Sequence, residues 1–158
     1  RQWGARKRSP HFLFGWFPMH IIKLCVGVSS VEELIEWRSL RREQGFGRPD
    51  GLNVHRTRMM PKRAGEIVGQ GSLYWVIAGA VRARQVIADL KAETDGEGKS
   101  CCDILLEPEL IRTAPYPRRP FQGWRYLQTK DAPPDLARAG EDAPPEGMAE
   151  ELAQLGLL

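Results

Sequence analysis

Six residues near the middle of the chain, Leu73–Ala78 (Leu-Tyr-Trp-Val-Ile-Ala), are apolar on both sides of a two-residue alternation. A strand with that pattern buries both faces, so it belongs in the middle of a sheet or in a barrel wall. The remaining segments must then cover it from two sides. With 158 residues, 42% of them hydrophobic and 27% charged, the chain is long enough to form one globular domain around its own core.

The flanking segments supply the covers. His20–Val26 is a short apolar run of strand length, closed by Gly27 and two serines. Ser30 stands three residues before Glu33, a capping box that opens a helix over Val31–Gln44. Val31, Leu34, Ile35 and, at the margin, Trp37 form its expected buried face. Glu32, Glu33 and Glu36 early and Arg38, Arg41 and Arg42 late suit the helix dipole. Leu52–Arg58 alternates, with Leu52, Val54, Arg56 and Arg58 on one side and Asn53, His55 and Thr57 on the other, and reads as an exposed or edge strand. Pro61 begins a short helix to Val68, stopped by Gly69 and Gly71.

Residues 80–91 fit two periods. Val81, Ala83 and Ile87 alternate with Arg82 and Arg84, whereas Ala83, Val86, Ile87 and Leu90 match helical spacing. A strand with a bulge near Gln85–Val86 is the preferred reading. Thr94–Lys99 is a turn, after which Cys102–Leu106 resumes as the second strand of a long hairpin. Three prolines in Arg112–Pro120 exclude a central strand there, and Phe121–Leu127 is strand-like again. The expected fold is α+β, a mainly antiparallel sheet curled into a partly closed barrel with flanking helices, over residues 19–136.

Charge is unevenly spread. The net charge is +3, yet the first 18 residues hold four bases and no acid, and residues 129–158 hold two bases and seven acids. The first 18 residues are read as a translated upstream leader, with Met19 the true start, and residues 137–158 as a mobile acidic, proline-rich tail. Cys25, Cys101 and Cys102 are odd in number and two are adjacent, which makes neither a disulfide framework nor a paired zinc site. No apolar run approaches the roughly 18 residues of a membrane span. A soluble protein of the reducing cytoplasm is the simplest expectation.

No phosphate loop, nucleophile elbow, paired metal-binding histidines or dinucleotide fingerprint occurs, so no cofactor or metal is expected. Two weaker constellations remain for catalysis. His55 with Glu107 or Glu109 would suit a small hydrolase or nuclease, and Cys101–Cys102 is a vicinal thiol pair that reads as passive packing.

Arginine and aromatic density is the stronger signal. Arg56, Arg58, Lys62 and Arg63 cluster at a strand-to-helix junction, and Arg82 and Arg84 share one side of a strand. Arg118, Arg119 and Arg125 surround Phe121, Trp124 and Tyr126. Guanidinium groups fork onto phosphates and aromatic rings stack on bases. The leading expectation is therefore a non-enzymatic module for RNA or a modified nucleobase, with Trp124 or Tyr126 as the stacking surface. Thirteen acids share residues 19–128, so surface ion pairing is the competing account. A protein-interaction domain, marked by an apolar patch around Phe121–Leu127, is the third.

Met59-Met-Pro-Lys-Arg63, Gly71-Ser-Leu-Tyr-Trp-Val-Ile77, Ala83-Arg-Gln85, Leu106-Glu-Pro-Glu-Leu110 and Arg118-Arg-Pro-Phe-Gln-Gly-Trp-Arg-Tyr-Leu127 resemble a bacterial family, the domain of unknown function numbered 1489. The resemblance covers about residues 19–136 and implies no activity. The order of elements is also similar to that of PUA-like domains, including the ASCH and EVE families. That similarity implies a small β-barrel of a kind that binds RNA or modified bases, by analogy of fold alone.

Overall fold

The computed structural model describes residues 17–136. In chain order these form β1 (Met19–Leu24), α1 (Val31–Glu43), β2 (Asn53–Thr57), α2 (Ala64–Ile67), β3 (Ser72–Ile77), β4 (Ala80–Thr94), β5 (Ser100–Leu106), β6 (Ile111–Pro117) and β7 (Trp124–Gln128), ending in a 3-10 turn at Thr129–Asp131. The α+β expectation holds. The leader and tail expectations fall outside the described residues, Phe17 and Pro18 apart.

The strands make one sheet in the order β2-β5-β4-β3-β1-β7, with β6 also on β4. Only β1 and β3 are parallel; every other pair is antiparallel. β3 is buried along its whole length inside the sheet, as its two-sided apolar pattern requires. Residues 80–91 are strand, part of the long β4. Its register slips lie between Val81 and Ala83 against β6 and between Ile87 and Asp89 against β5, on either side of the expected Gln85–Val86. Ala78 and Gly79, both at positive φ (51° and 81°), make the two-residue β3–β4 turn. The prolines of β6 are tolerated because that strand ladders only with β4; its other edge is met by Ala114 N–H to Pro134 O (2.8 Å) and Leu136 N–H to Arg112 O (2.8 Å).

The expected partly closed barrel is corrected by the hydrogen-bond ladder, which leaves β2 and β7 as open edges among the described residues. Between them runs the segment from Arg58 to Gly71, whose proline, glycines and short helix cannot extend a ladder. Side chains bridge the gap instead. Trp124 Nε1 donates to Met59 O (2.7 Å), and Arg63 N donates to Tyr126 Oη (3.1 Å).

Strand alternation divides the buried residues into two layers. Ile21, Leu73, Trp75, Ile77, Ala83 and Ile87 face one way, where α1 lies over them with Val31 and Leu34. Ile22, Tyr74, Val76, Val81 and Leu127 face the other, where Phe121 and Ala132 pack. Close approach of two backbones fixes Gly71: a Cβ there would lie 2.1 Å from Met19 O.

Candidate ligand pocket

The inward stripe of α1 changes character along its length. Helical spacing puts Val31, Leu34, Arg38 and then Arg41 and Arg42 on neighbouring turns of one side. The first two seal the core, Leu34 also reaching the inner end of a pocket of about 550 Å³ that the last three line together with Lys23, Asn53, His55 and Trp75. Ile35 and Trp37, expected in the buried face, are instead 43% and 52% exposed.

The helix begins as its capping box requires, with Glu33 N donating to Ser30 Oγ (3.0 Å), although the Glu33 carboxylate reaches back to Ser29 rather than Ser30. Its end builds the pocket mouth. Gly45, at φ 87°, lets Phe46 N bond Arg41 O (3.0 Å) and Gly45 N bond Arg42 O (3.0 Å), a Schellman closure. That turn folds Phe46 back over the helix. The Arg41 guanidinium then lies 4.5 Å from the Phe46 ring centroid and 5.2 Å from the Trp37 ring.

Behind the mouth is a network of amides. Arg38 Nη1 donates to Gln85 Oε1 (2.5 Å) and to Asn53 Oδ1 (2.9 Å). Gln85, fully buried, also accepts from Trp75 Nε1 (2.9 Å) and donates through Nε2 to Asn53 Oδ1 (3.0 Å) and Glu107 O (2.8 Å). The guanidinium is thus oriented by neutral acceptors. Among the described residues, no carboxylate pairs with Lys23, Arg38, Arg41 or Arg42. Burial lowers the Arg38 pKa to about 10 and lowers that of Lys23, yet Arg38 stays charged at neutral pH.

His55 completes the site. Its ring stands edge-on to Trp75 at 5.1 Å, and its buried Nε2 has no hydrogen-bond partner. Burial, then Lys23 and Arg38, lower its pKa to about 4, so the imidazole is neutral at physiological pH.

A family model, described as Protein of unknown function (DUF1489), matches residues 21–158. The chain belongs to that family. Neither a search of curated proteins nor one of solved structures found a match. The assignment to DUF1489 brings no activity, so the chemistry must come from the residues themselves.

In this DUF1489 chain the basic residues singled out from sequence are dispersed. Arg58 pairs with Asp95 (2.9 Å) and Arg63 with Glu66 (2.6 Å). Arg84 grips Asp135 through two bonds of 2.8 Å, and Arg82 is buried, with Nε donating to Ile77 O (2.7 Å) in the β3–β4 turn. Arg118 lies over Tyr116 at 4.8 Å and Arg125 over Phe121 at 5.1 Å. Lys62 and Arg119 are exposed.

Two of the aromatics nominated for stacking do share a face with the pocket. Trp124 is the β1–β7 register partner of Lys23, and Tyr126 that of Ile21. The two rings meet edge-on at 4.8 Å. The segment Phe121–Leu127 forms no continuous apolar patch, because Trp124 packs on the α1 side of the sheet while Phe121 and Leu127 pack on the other.

The catalytic constellations do not assemble. No hydrogen bond joins His55 to either Glu107 or Glu109. Glu109 instead acts electrostatically on Arg84, on the opposite face of the sheet. Cys101 and Cys102 are buried free thiols; Cys102 Sγ touches Met60 Sδ (3.7 Å), and burial pushes its pKa up to about 11. No group of three or more metal-ligating side chains occurs among the described residues, and none of their helices is long and apolar enough to cross a membrane.

Asn53, Gln85, Lys23, Arg38 and Trp75 were not nominated from sequence. A glutamine inside an otherwise apolar strand register was the available signal for Gln85. The polar side of β2 was the signal for Asn53 and His55.

Proposed function

We propose that this chain is a non-enzymatic binding module for single-stranded RNA, with one nucleotide seated in the α1–β2 pocket. The observation that carries the reading is the gathering of Lys23, Arg38, Arg41 and Arg42, all lacking acidic partners, around a pocket whose mouth holds exposed Trp37 and Phe46. Its size lies within the range usual for small-ligand sites. Aromatic rings at the mouth stack on a base of any identity, and the cations meet the phosphates. From the pocket the strand passes Lys23 toward Trp124, with exposed Lys62 and Arg119 as further phosphate contacts. The order of elements similar to PUA-like domains supports the same reading by analogy only.

The test is a fluorescence-anisotropy titration with labelled single-stranded and duplex RNA and DNA, at low and physiological salt. Saturable binding that favours single-stranded RNA and survives physiological salt is expected. Arg41→Ala and Arg119→Ala should each weaken it and flatten the salt dependence by about one phosphate contact. Absence of saturable binding at physiological salt would overturn the reading.

A further inference from the structure

We infer that the floor of the pocket is a phosphomonoester site, which takes the terminal phosphate of an RNA end or mononucleotide in preference to an internal phosphodiester. The inference rests on the RNA reading for the identity of the attached base and goes beyond it in naming the group recognised.

Arg38 is a largely buried cation whose nearest acceptors are the amide oxygens of Gln85 and Asn53. Those amides are themselves held by Trp75 Nε1 and the Glu107 carbonyl, so the guanidinium is fixed in place before any ligand arrives. Charge desolvated without a counter-ion is costly, and an anion is the partner that removes the cost. Lys23 lines the same pocket and is likewise shifted by burial with no carboxylate beside it.

Arg38 commits only Nη1 to protein acceptors, leaving Nε and Nη2 for a planar, forked contact with an oxyanion. His55 lines the same pocket as a neutral ring, so it adds no competing charge beside Lys23 and Arg38.

A phosphomonoester carries nearly two negative charges at neutral pH and three terminal oxygens. An internal diester carries one charge, and two nucleosides flank it. Arg38 sits against Trp75 and Gln85 at the base of the pocket, 5.8 Å from the Trp75 ring and behind the mouth formed by Trp37 and Phe46. A chain end can reach that depth while its first base remains at the aromatic mouth, whereas an internal phosphate would have to bring both neighbours in with it.

The experiment titrates the full chain with one short oligoribonucleotide in three forms (hydroxyl at both ends, 5′-phosphate, 3′-phosphate), with adenosine monophosphate as a separate ligand. One phosphorylated form is expected to bind at least about tenfold tighter than the hydroxyl form, the gain of one charge-assisted contact. Arg38→Gln should erase that preference. Lys23→Gln, at a half-buried strand position outside the amide network, should reduce it several-fold while leaving the fold intact, and it stands as the test if Arg38→Gln does not fold. Equal affinities for all three forms would overturn the phosphomonoester site and leave RNA binding standing. Binding of adenosine monophosphate without binding of any oligonucleotide would leave the site standing and overturn the RNA reading. No binding of either overturns both.

Discussion

Arg38 and Gln85 meet at 2.5 Å, guanidinium to amide oxygen, inside a protein where several other arginines pair with carboxylates. Arg56, Arg58, Arg63 and Arg84 each end on an aspartate or glutamate, and their charges are answered within the chain. Arg38 is oriented but not neutralised. On the binding proposal, that difference marks Arg38 as the cation left for an external anion.

Replacing Gln85 by leucine should expose the dependence of the site on that amide. Gln85→Leu conserves much of the volume but strands the Trp75 indole N–H and the Glu107 carbonyl, and leaves the Arg38 guanidinium with the Asn53 oxygen alone. Each buried polar group left without a partner costs about 1–3 kcal/mol, with partial relief from water at the pocket. A loss of about 3 kcal/mol in urea unfolding is expected. A variant within about 0.5 kcal/mol of the parent would show that the network contributes little.

Stability should fall on mild acidification because of His20. The ring is buried, with Nδ1 accepting from Ser72 N (2.9 Å), Nε2 3.2 Å from Thr129 Oγ1, and Tyr74 edge-on at 5.2 Å. Burial, reinforced by Arg84, lowers its pKa from 6.5 to about 4. Between those values the unfolded chain binds the proton and the folded chain does not. The contribution is therefore complete above about pH 6.5 and is lost as the pH falls toward 4, on the order of 2–3 kcal/mol in all. His55 acts in the same direction over the same window, by less because it is more exposed. Urea unfolding at pH 7, 5.5 and 4.5 measures the slope, and His20→Gln should flatten it. An unchanged slope in that variant would assign the effect elsewhere.

Gly71→Ala should damage the fold despite adding one methyl group. The new Cβ would sit 2.1 Å from Met19 O and 3.2 Å from Ile67 O, both backbone atoms that cannot rotate away. Displacing β1 from β3 disturbs the parallel pairing at the centre of the sheet. A loss above about 4 kcal/mol, or failure to accumulate as folded protein, is expected. Near-normal thermal unfolding would mean that β1 lies farther from Gly71.

Local pattern revealed the elements better than it revealed their faces. The two-sided apolar run placed β3 at the interior, the capping box placed the start of α1, and the turn at Thr94–Lys99 placed the β4–β5 hairpin. The site was harder to see because its residues are polar and point inward. Arg38, Arg41 and Arg42 satisfy the helix dipole as readily as they line a pocket, and periodicity does not distinguish the two. On β2 the alternation was legible but its direction was not: Val54 turns outward, while Asn53 and His55 turn to the pocket. The joining of Gln85 to Arg38, 47 residues apart, depends on strand and helix packing that no local window contains. Barrel closure failed as an expectation for a related reason, since the Arg58–Gly71 segment joins the edges through side chains rather than through a ladder.

The position of β2 at the sheet edge has a kinetic consequence. β4 is laddered on both sides over Ala80–Arg84, whereas among the described residues β2 has β5 as its only ladder partner. Amide protons of β4 should therefore exchange through global unfolding and those of β2 through shallower local openings. The wall that carries Asn53 and His55 can breathe while the centre of the sheet stays shut. On the binding proposal, an occupied pocket should slow isotope exchange along β2 before it changes anything in β4.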